Sequence, residues 1–279
     1  MNPSKPARIT AQNRPNVMVC QPRYNSSVHD RSLTALLTRC TLGGCNPYWG
    51  TQQEGSPVSA SSSLLEHTFN HLWCAALNAR KTFKIDYFAM LHADIEPMPG
   101  WCDVAISELR RVGADVISAV VPFKNGTGWT STGLGEKHWP RNAVSANERA
   151  RKLTMTEVYN LPETFSAAEV DPDKVLLVNS GCWLCDFTQP WVEKICFAIH
   201  SKNYLGSDGN WHSATRGEDW DASYQFFDLG LRVFATRKIQ VVHYGEFGYA
   251  NFPEPWGAEQ TDQAYIAWHK SGIEPVRED

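Results

Sequence analysis

The sequence lacks any apolar run long enough for a membrane-spanning helix, so no membrane partner is expected. It lacks the apolar core of a secretory signal as well: the first residues, MNPSKPARITAQNRPN, are polar and proline-containing and read as a flexible segment over 1–15. Eight cysteines without such a signal point to a reducing compartment, free buried thiols and a cytoplasmic location, and make the Asn-X-Ser/Thr matches at Asn25 and Asn125 chance occurrences. Neither sign of charge dominates. Against 26 Lys and Arg stand 30 Asp and Glu, a net charge of −4, which excludes a global basic field for nucleic acid but not a local basic face. No Gly-Lys-Ser/Thr follows a glycine-rich loop, so a P-loop is excluded. Internal repeats and low-complexity linkers are missing too, which favours one continuous domain.

What remains is an ordinary globular composition, 42% hydrophobic and 20% charged, arranged as alternating strands and helices. NVMVCQP (16–22) reads as a short buried strand stopped by Pro22, and DRSLTALLTRC as a helix. Residues 40–58, rich in glycine and proline, read as loop or short edge strands. SASSSLLEHTFNHLWCAALNARK reads as one amphipathic helix, with Leu65, Phe69, Trp73 and Leu77 at steps of four and a serine cluster for its N-cap. YFAML (87–91) is an apolar strand, 102–112 a helix and ADVISAVVPF a β-branched strand. KVLLVNSGCWLCDF and FATRKIQVVHYG have strand character, and the segment between them turns helical with Trp220, Tyr224, Phe227 and Leu231 on one face. Residues 124–174 carry only short apolar pieces. This order predicts an α/β fold: a single Rossmann-like domain over 16–250, a mostly parallel central sheet with helices on both faces, and a tail over 251–279 packing on it.

FAMLHADIEPMPGW (88–101) poses a physical problem, because a buried strand ends in two carboxylates and an unpaired buried charge is costly. On an extended strand Asp94 and Glu96 point the same way, roughly 6.5–7 Å apart. They stand at the carboxyl end of the strand, where open α/β sheets bind ligands. Carboxylates so placed can hold a hard divalent cation that neutralises phosphates. The structural alternative is a solvated strand end whose acids meet a helix N-terminus or an arginine.

YFAMLHADIEPMPGW resembles the metal-binding segment of the GT-A-fold glycosyltransferases, the large family-2-like group: an apolar strand, an Asp-X-Asp-type motif in Asp94-Ile95-Glu96, then a Pro/Gly-Trp turn into a helix. The other pieces follow in the same order over most of 16–245. NVMVCQPRYN is similar to the first nucleotide-binding strand and NSGCWLCDF to the acceptor-side strand. RGEDWDASYQFFDLGLRV is similar to the acidic motif that opens a helix, and VVHYG to the late strand whose histidine completes the metal site. Three features depart from the pattern: Glu96 replaces the commoner Asp, residues 124–174 match nothing, and the first strand has no acid for a uracil or ribose.

The resemblance implies a GT-A-like domain with a nucleotide-sugar half over about 16–125 and an acceptor half over about 126–250. It implies a metal-dependent, inverting transfer of a sugar from a UDP-type nucleotide-diphosphate sugar to an acceptor hydroxyl. Mn²⁺ or Mg²⁺ would be held by Asp94, Glu96 and His243, and would stabilise the leaving diphosphate. Asp219 would act as general base, with Glu218 as acceptor binder or alternative base. Pro22, Arg23, Tyr24, Asn70, Ala93 and Asp94 would bind the donor, although Asn70 has no claim from spacing. Gly181, Cys182, Trp183 and Glu218 would face the acceptor. Compact members of this group occur in bacteriophages, where hydroxylated or hydroxymethylated DNA bases are acceptors; ARITAQNR and ERARK (148–152) would then meet phosphate in the host cytoplasm.

Each feature also has a plainer reading. Thr215-Arg-Gly-Glu218 has the spacing of a capping box. A lone strand-end histidine such as His243 is often structural, and His92 is either packed or a contact behind Asp94. The loop with Gly126, Thr127, Gly128, Ser131 and Thr132 either approaches a phosphate or simply turns. Cys182 and Cys185 with Cys40 and Cys45 have the makings of a zinc set, or are buried thiols. Eleven tryptophans, among them Trp129, Trp139, Trp183, Trp211, Trp220 and Trp256 beside polar segments, stack on sugars and bases or pack the core. Two other function classes stand beside the transferase. A nucleotidyltransferase or phosphohydrolase would use the same acids but lacks its phosphate loop. A non-catalytic carbohydrate- or nucleic-acid-binding module would explain the tryptophans and leave Asp94, Glu96, Asp219 and His243 unexplained.

Overall fold

In strand β1 (Asn16–Arg23), Val17 and Val19 turn to one face and Met18 and Cys20 to the other, and all four are fully buried. A strand covered on both sides must be apolar without alternation, which is why NVMVC reads as a continuous run. The computed structural model describes residues 14–24, 27–48, 59–124, 127–137, 150–206, 208–245 and 248–252. The expected N-terminal segment over 1–13, the tail beyond Phe252, Asn25, Asn125, Gly126, Trp139 and Trp256 lie outside them.

In chain order β1 is followed by α1 (Asp30–Leu37), β2 (Asn46–Tyr48), β3 (Ser59–Ser61) and α2 (Leu65–Ala79). Next come β4 (Tyr87–Leu91), β5 (Ile95–Pro97), α3 (Trp101–Val112), β6 (Val116–Ala119), β7 (Trp129–Glu136), β8 (Arg151–Thr154) and β9 (Thr164–Phe165). The chain continues through β10 (Lys174–Leu177), β11 (Cys182–Asp186), a 3₁₀ turn Pro190–Lys194, β12 (His200–Leu205) and β13 (Trp211–Arg216). A helix over Glu218–Asp228, then β14 (Val233–Thr236), β15 (Val241–Tyr244) and β16 (Gly248–Ala250) complete it.

The central sheet runs β2-β1-β4-β11-β6-β14-β9, with β3 also on β1, so strands from both expected halves share it. It is mixed, which corrects the expectation of a mostly parallel sheet. β1 is parallel to β2, β3 and β4, and β14 to β6, but β11 runs against both β4 and β6, and β9 against β14. The reason lies at the turn Asn179–Gly181, which brings the chain into the sheet at the end where β4 leaves it, so β11 has to run back. KVLLVNSGCWLCDF and FATRKIQVVHYG each prove to be two strands in different sheets. β10 joins β7 and β8, and β15 joins β5 and β16. The irregular-looking 124–174 stretch supplies the eight-residue β7. The serine cluster does not cap α2: Ser59–Ser61 pairs with β1, and Ser59 Oγ donates to the Gln21 carbonyl at 2.9 Å.

Helices cover both faces, as expected. α1 and α3 bury Leu36, Trp101, Ala105 and Ile106 against Val17, Ala89 and Ile117. On the other face α2, the 3₁₀ turn and the Glu218–Asp228 helix close over Met18, Phe88 and Trp183. Trp73 is the hub there. Its ring meets Phe88 edge-on at 4.8 Å and Phe187 at 5.0 Å, and its Nε1 donates to the Val192 carbonyl at 2.9 Å. Trp73→Ala should lower stability by about 3–5 kcal/mol, read as a shift of the urea midpoint without a change of slope.

Candidate functional site

The carboxyl ends of β1, β4 and β6 and the start of β11 meet at one edge of the sheet. A cleft of about 610 Å³ opens there, lined among others by Pro22, Tyr24, His29, His92, Asp94 and Lys124. That volume lies within the range of small-molecule sites. Among the described residues that line it, Asp94 is the one carboxylate.

Asp94 Oδ2 accepts from Lys124 Nζ at 2.5 Å and lies 3.6 Å from His243 Nε2. Burial works to raise its pKa, but His243, when its Nε2 carries a proton toward the carboxylate, and the Lys124 ammonium outweigh it and hold the carboxyl well below the usual carboxylate range. His243 Nδ1 sits 2.8 Å from the Pro122 carbonyl, where a ring nitrogen can only donate. In the neutral ring, Nε2 then presents its lone pair toward Asp94. A carboxylate oxygen and an imidazole lone pair facing one another fit a cation between them, and the backbone bond behind the histidine is the kind that orients a metal ligand.

The three-ligand set expected from the sequence does not form. Among the described residues no group of three or more His, Cys, Asp or Glu side chains is arranged to hold a metal. Residues 92–95 turn, with Ile95 N–H donating to the His92 carbonyl at 3.3 Å, so Asp94 and Glu96 do not share one straight strand. Glu96 instead accepts from Tyr244 Oη at 2.6 Å and faces the Arg31 guanidinium at 3.7 Å. The Tyr244 ring in turn stacks on His29 at 3.8 Å and 7°. Glu96 thereby steadies one wall of the cleft. Two protein ligands, Asp94 and His243, remain for a divalent ion, which suits Mg²⁺ or Mn²⁺ when phosphates and water supply the rest. Glu96→Gln should therefore leave Asp94 and His243 in place while loosening the Tyr244–His29 wall, read as a lower melting temperature.

The second acidic group stands at the head of the Glu218–Asp228 helix. The capping-box reading fails: Gly217 is the N-cap and makes no side-chain cap, while Thr215 lies in β13 paired with Ser201. Of the three acids in the first turn, Asp221 is neutralised by Arg216 at 2.8 Å. Among the described residues neither Glu218 nor Asp219 has a basic ion-pair partner. Burial and the neighbouring Glu218 push Asp219 up to about 7, and burial with the charge of Glu66 raises Glu218. A carboxylate tuned near neutrality suits a general base. Asp219 keeps a local role too, accepting from the Trp220 backbone N–H at 2.7 Å.

A short relay ties the two acids together. Asn179 Nδ2 donates to Asp219 Oδ2 at 3.4 Å, and the Gly181 N–H donates to Asn179 Oδ1 at 2.6 Å. The Gly181 carbonyl accepts from the His92 N–H at 2.7 Å, two residues before Asp94. Gly181 is glycine for want of room: a Cβ there would come within 2.4 Å of Asn179 Oδ1 and Ile95 Cδ1. His92, half-buried and with its pKa pulled down to about 4 by desolvation, faces Ser180 Oγ at 3.4 Å.

Several expected contacts fall elsewhere. Pro22, Tyr24, Ala93 and Asp94 line the cleft, whereas Arg23, alternating with Pro22 along β1, does not. The Asn70 amide is spent on the backbone of Phe197, accepting from its N–H at 2.9 Å and donating to its carbonyl at 2.7 Å, which accounts for that residue without a donor. Trp183 is 2% exposed, among Trp73, Phe88 and Phe226, and presents no face to an acceptor. Cys182 is buried on the opposite face of the sheet from Cys185, so the two cannot chelate one zinc, and burial pushes both thiols up. In the basic cluster, Arg151 pairs with Glu157, and Lys152 lies 4.5 Å from the centre of the Phe123 ring. Lys124, His29, Asn179 and Tyr244 are the residues that sequence reasoning missed. For Lys124 a signal existed: it follows an apolar strand directly, as Asp94 does.

No protein-family model matches the chain, and no curated protein sequence does. Among solved structures, A197 from STIV is similar with a TM-score of 0.44 and 14% identity, over 83% of this chain and 86% of that one. The uridine diphosphate N-acetylglucosamine pyrophosphorylase from Trypanosoma brucei, in complex with inhibitor, is similar with a TM-score of 0.30 and 13% identity. That match spans 69% of this chain and 36% of the pyrophosphorylase. At these scores the likeness bears on neither activity nor substrate.

Proposed function

We propose that the protein is a glycosyltransferase that moves a sugar from a nucleotide-diphosphate sugar, UDP-linked, to an acceptor hydroxyl with inversion. The observation that carries this reading is the joining of two unlike acids by one relay. Asp94, held ionised, faces the large cleft, and Asp219, held near neutrality, is linked to it through Asn179 and Gly181. Inverting transfer can use such a pair: a carboxylate that would hold a cation at the departing diphosphate, and a base for the incoming hydroxyl.

In this reading the donor lies in the cleft with its diphosphate toward Asp94 and Lys124. Asp219 takes the proton of the acceptor hydroxyl as that oxygen attacks the anomeric carbon from the face opposite the leaving diphosphate. Mn²⁺ or Mg²⁺ held by Asp94 and His243 would supply Lewis-acid stabilisation of that leaving group. Among the described residues no helix is long and apolar enough to cross a membrane. The setting proposed is the cytoplasm, a host's if the chain is phage-encoded, with a hydroxylated or hydroxymethylated DNA base as acceptor.

The test is turnover of a panel of nucleotide sugars with Mn²⁺ or with chelator, alone and with hydroxymethylated DNA. Release of nucleoside diphosphate that needs metal supports the transferase and names the donor. Release of pyrophosphate instead would assign a nucleotidyltransferase, and no binding of any nucleotide sugar would sink the reading.

A further inference from the structure

We propose that Lys124 and a divalent cation are alternative counterions of Asp94, and that metal entry turns the Lys124 ammonium over to the donor's diphosphate. The diphosphate half of this inference rests on the glycosyltransferase reading; the exchange at Asp94 does not.

One oxygen is contested. Asp94 Oδ2 accepts from Lys124 Nζ at 2.5 Å, and the same atom is the one 3.6 Å from His243 Nε2. A cation bridging that oxygen and the imidazole would share it with the ammonium, and two positive charges so close repel strongly in a partly buried site. One has to leave. The backbone leading into Lys124 is held at Pro122 and Phe123, so the side chain does the moving. Phe123 N–H donates to the Trp129 carbonyl at 2.9 Å, and the Pro122 carbonyl accepts from His243 Nδ1 at 2.8 Å. Metal ligand and lysine thus hang from one short segment. The lysine side chain is 41% exposed, and a Cβ on Gly245 would come within 3.2 Å of Lys124 Cβ, so Gly245 leaves room for the stem.

The displaced ammonium can turn into the cleft. Lys124 lines it, and among the described lining residues the other polar ones are neutral or imidazole and Asp94 is the one carboxylate. An anion entering that cleft meets an ammonium on a flexible four-carbon stem, a point charge suited to phosphate. With no metal, Lys124 compensates the charge of the half-buried Asp94. With metal, the same lysine becomes a phosphate contact, so metal and nucleotide binding are coupled through one side chain.

The experiment is titration of Mn²⁺ into the parent, Lys124→Met and Lys124→Arg, following free Mn²⁺ by electron paramagnetic resonance, first without nucleotide and then with UDP. Without nucleotide, Lys124→Met should bind Mn²⁺ about fivefold to tenfold more tightly than the parent, and Lys124→Arg no more tightly. At saturating Mn²⁺, Lys124→Met should bind UDP about tenfold more weakly by calorimetry, with Lys124→Arg partly restoring it. Equal or weaker Mn²⁺ binding by Lys124→Met, or none by either protein, overturns the exchange. If Mn²⁺ binding tightens as expected but UDP fails to bind even the parent, the exchange stands and the glycosyltransferase reading falls with the diphosphate half. Thermal melts of all three proteins separate misfolding from a local effect, and the arginine variant keeps the test valid if the methionine variant unfolds.

Discussion

Asp219→Asn is expected to remove transfer by roughly 10²–10⁴-fold and yet to melt at a higher temperature than the parent above pH 7. The two effects share one cause. Burial and Glu218 push the Asp219 carboxyl up to about 7 from an ordinary value of 3.8, so the folded state disfavours the ion that the unfolded chain accepts freely. A raised acid pKa costs no stability below the unfolded value. The cost grows between about 4 and 7 and is complete above 7. The neutral amide escapes it, so Asp219→Asn should melt at a higher temperature at pH 8, a gain that vanishes near pH 4. In the parent, kcat/KM should climb as pH rises through about 7 and then level as the base deprotonates; in Asp219→Asn that limb should be lost. A variant that is inactive and equally stable at every pH would make Asp219 a structural cap, since its Oδ1 also accepts from the Trp220 N–H.

Asp94→Asn carries the opposite sign in stability and an equally large loss of turnover. Burial alone would raise this carboxyl, but His243 and Lys124 hold it well below its ordinary value, so its ionised form stabilises the fold above the unfolded pKa. That contribution is lost as pH falls through the acid range. Because the side chain is 36% exposed, solvent screening keeps the effect small, and only its direction is predicted: a slightly lower Tm at pH 7. The functional loss is much larger. On the proposed glycosyltransferase reading, removing the charge that pairs with Lys124 and would hold the metal should cost on the order of 10³-fold in turnover, the worth of several kcal/mol of leaving-group stabilisation. Metal dependence should go with it, so the residual rate ought to be the same in Mn²⁺ and in chelator. A variant that keeps a metal-stimulated rate would move the metal away from Asp94.

What the sequence made legible follows from which physical constraints are local. β1, β4, α2 and α3 were readable because burial on both faces writes continuous apolar strands and steps of four into the chain. Asp94 at the end of β4 and Asp219 at the head of a helix were readable for the same reason, since strand ends and helix starts are local features. Strand direction was not, because a pleated apolar segment looks the same whichever way its neighbours run; β11 therefore passed for one more parallel strand. Glu96 was misplaced by assuming an extended chain across 92–95, where a turn breaks the two-residue alternation. Asn70 and Trp183 were misassigned because their partners, Phe197 and the Trp73 cluster, are distant in sequence. Lys124 was missed although it follows an apolar run: its partner lies 30 residues away, and a place after such a run does not name the partner. The ribbon β12–β13 went unread because its residues are mostly exposed and carry no apolar signature.

The most direct test of the account is a crystal structure of the protein with UDP and Mn²⁺. The nucleotide is expected in the cleft between Tyr24 and Lys124, with a metal on Asp94 and His243 touching the diphosphate and Glu96 still bonded to Tyr244. A diphosphate bound elsewhere, or a cleft that stays empty at saturating nucleotide and metal, would contradict it.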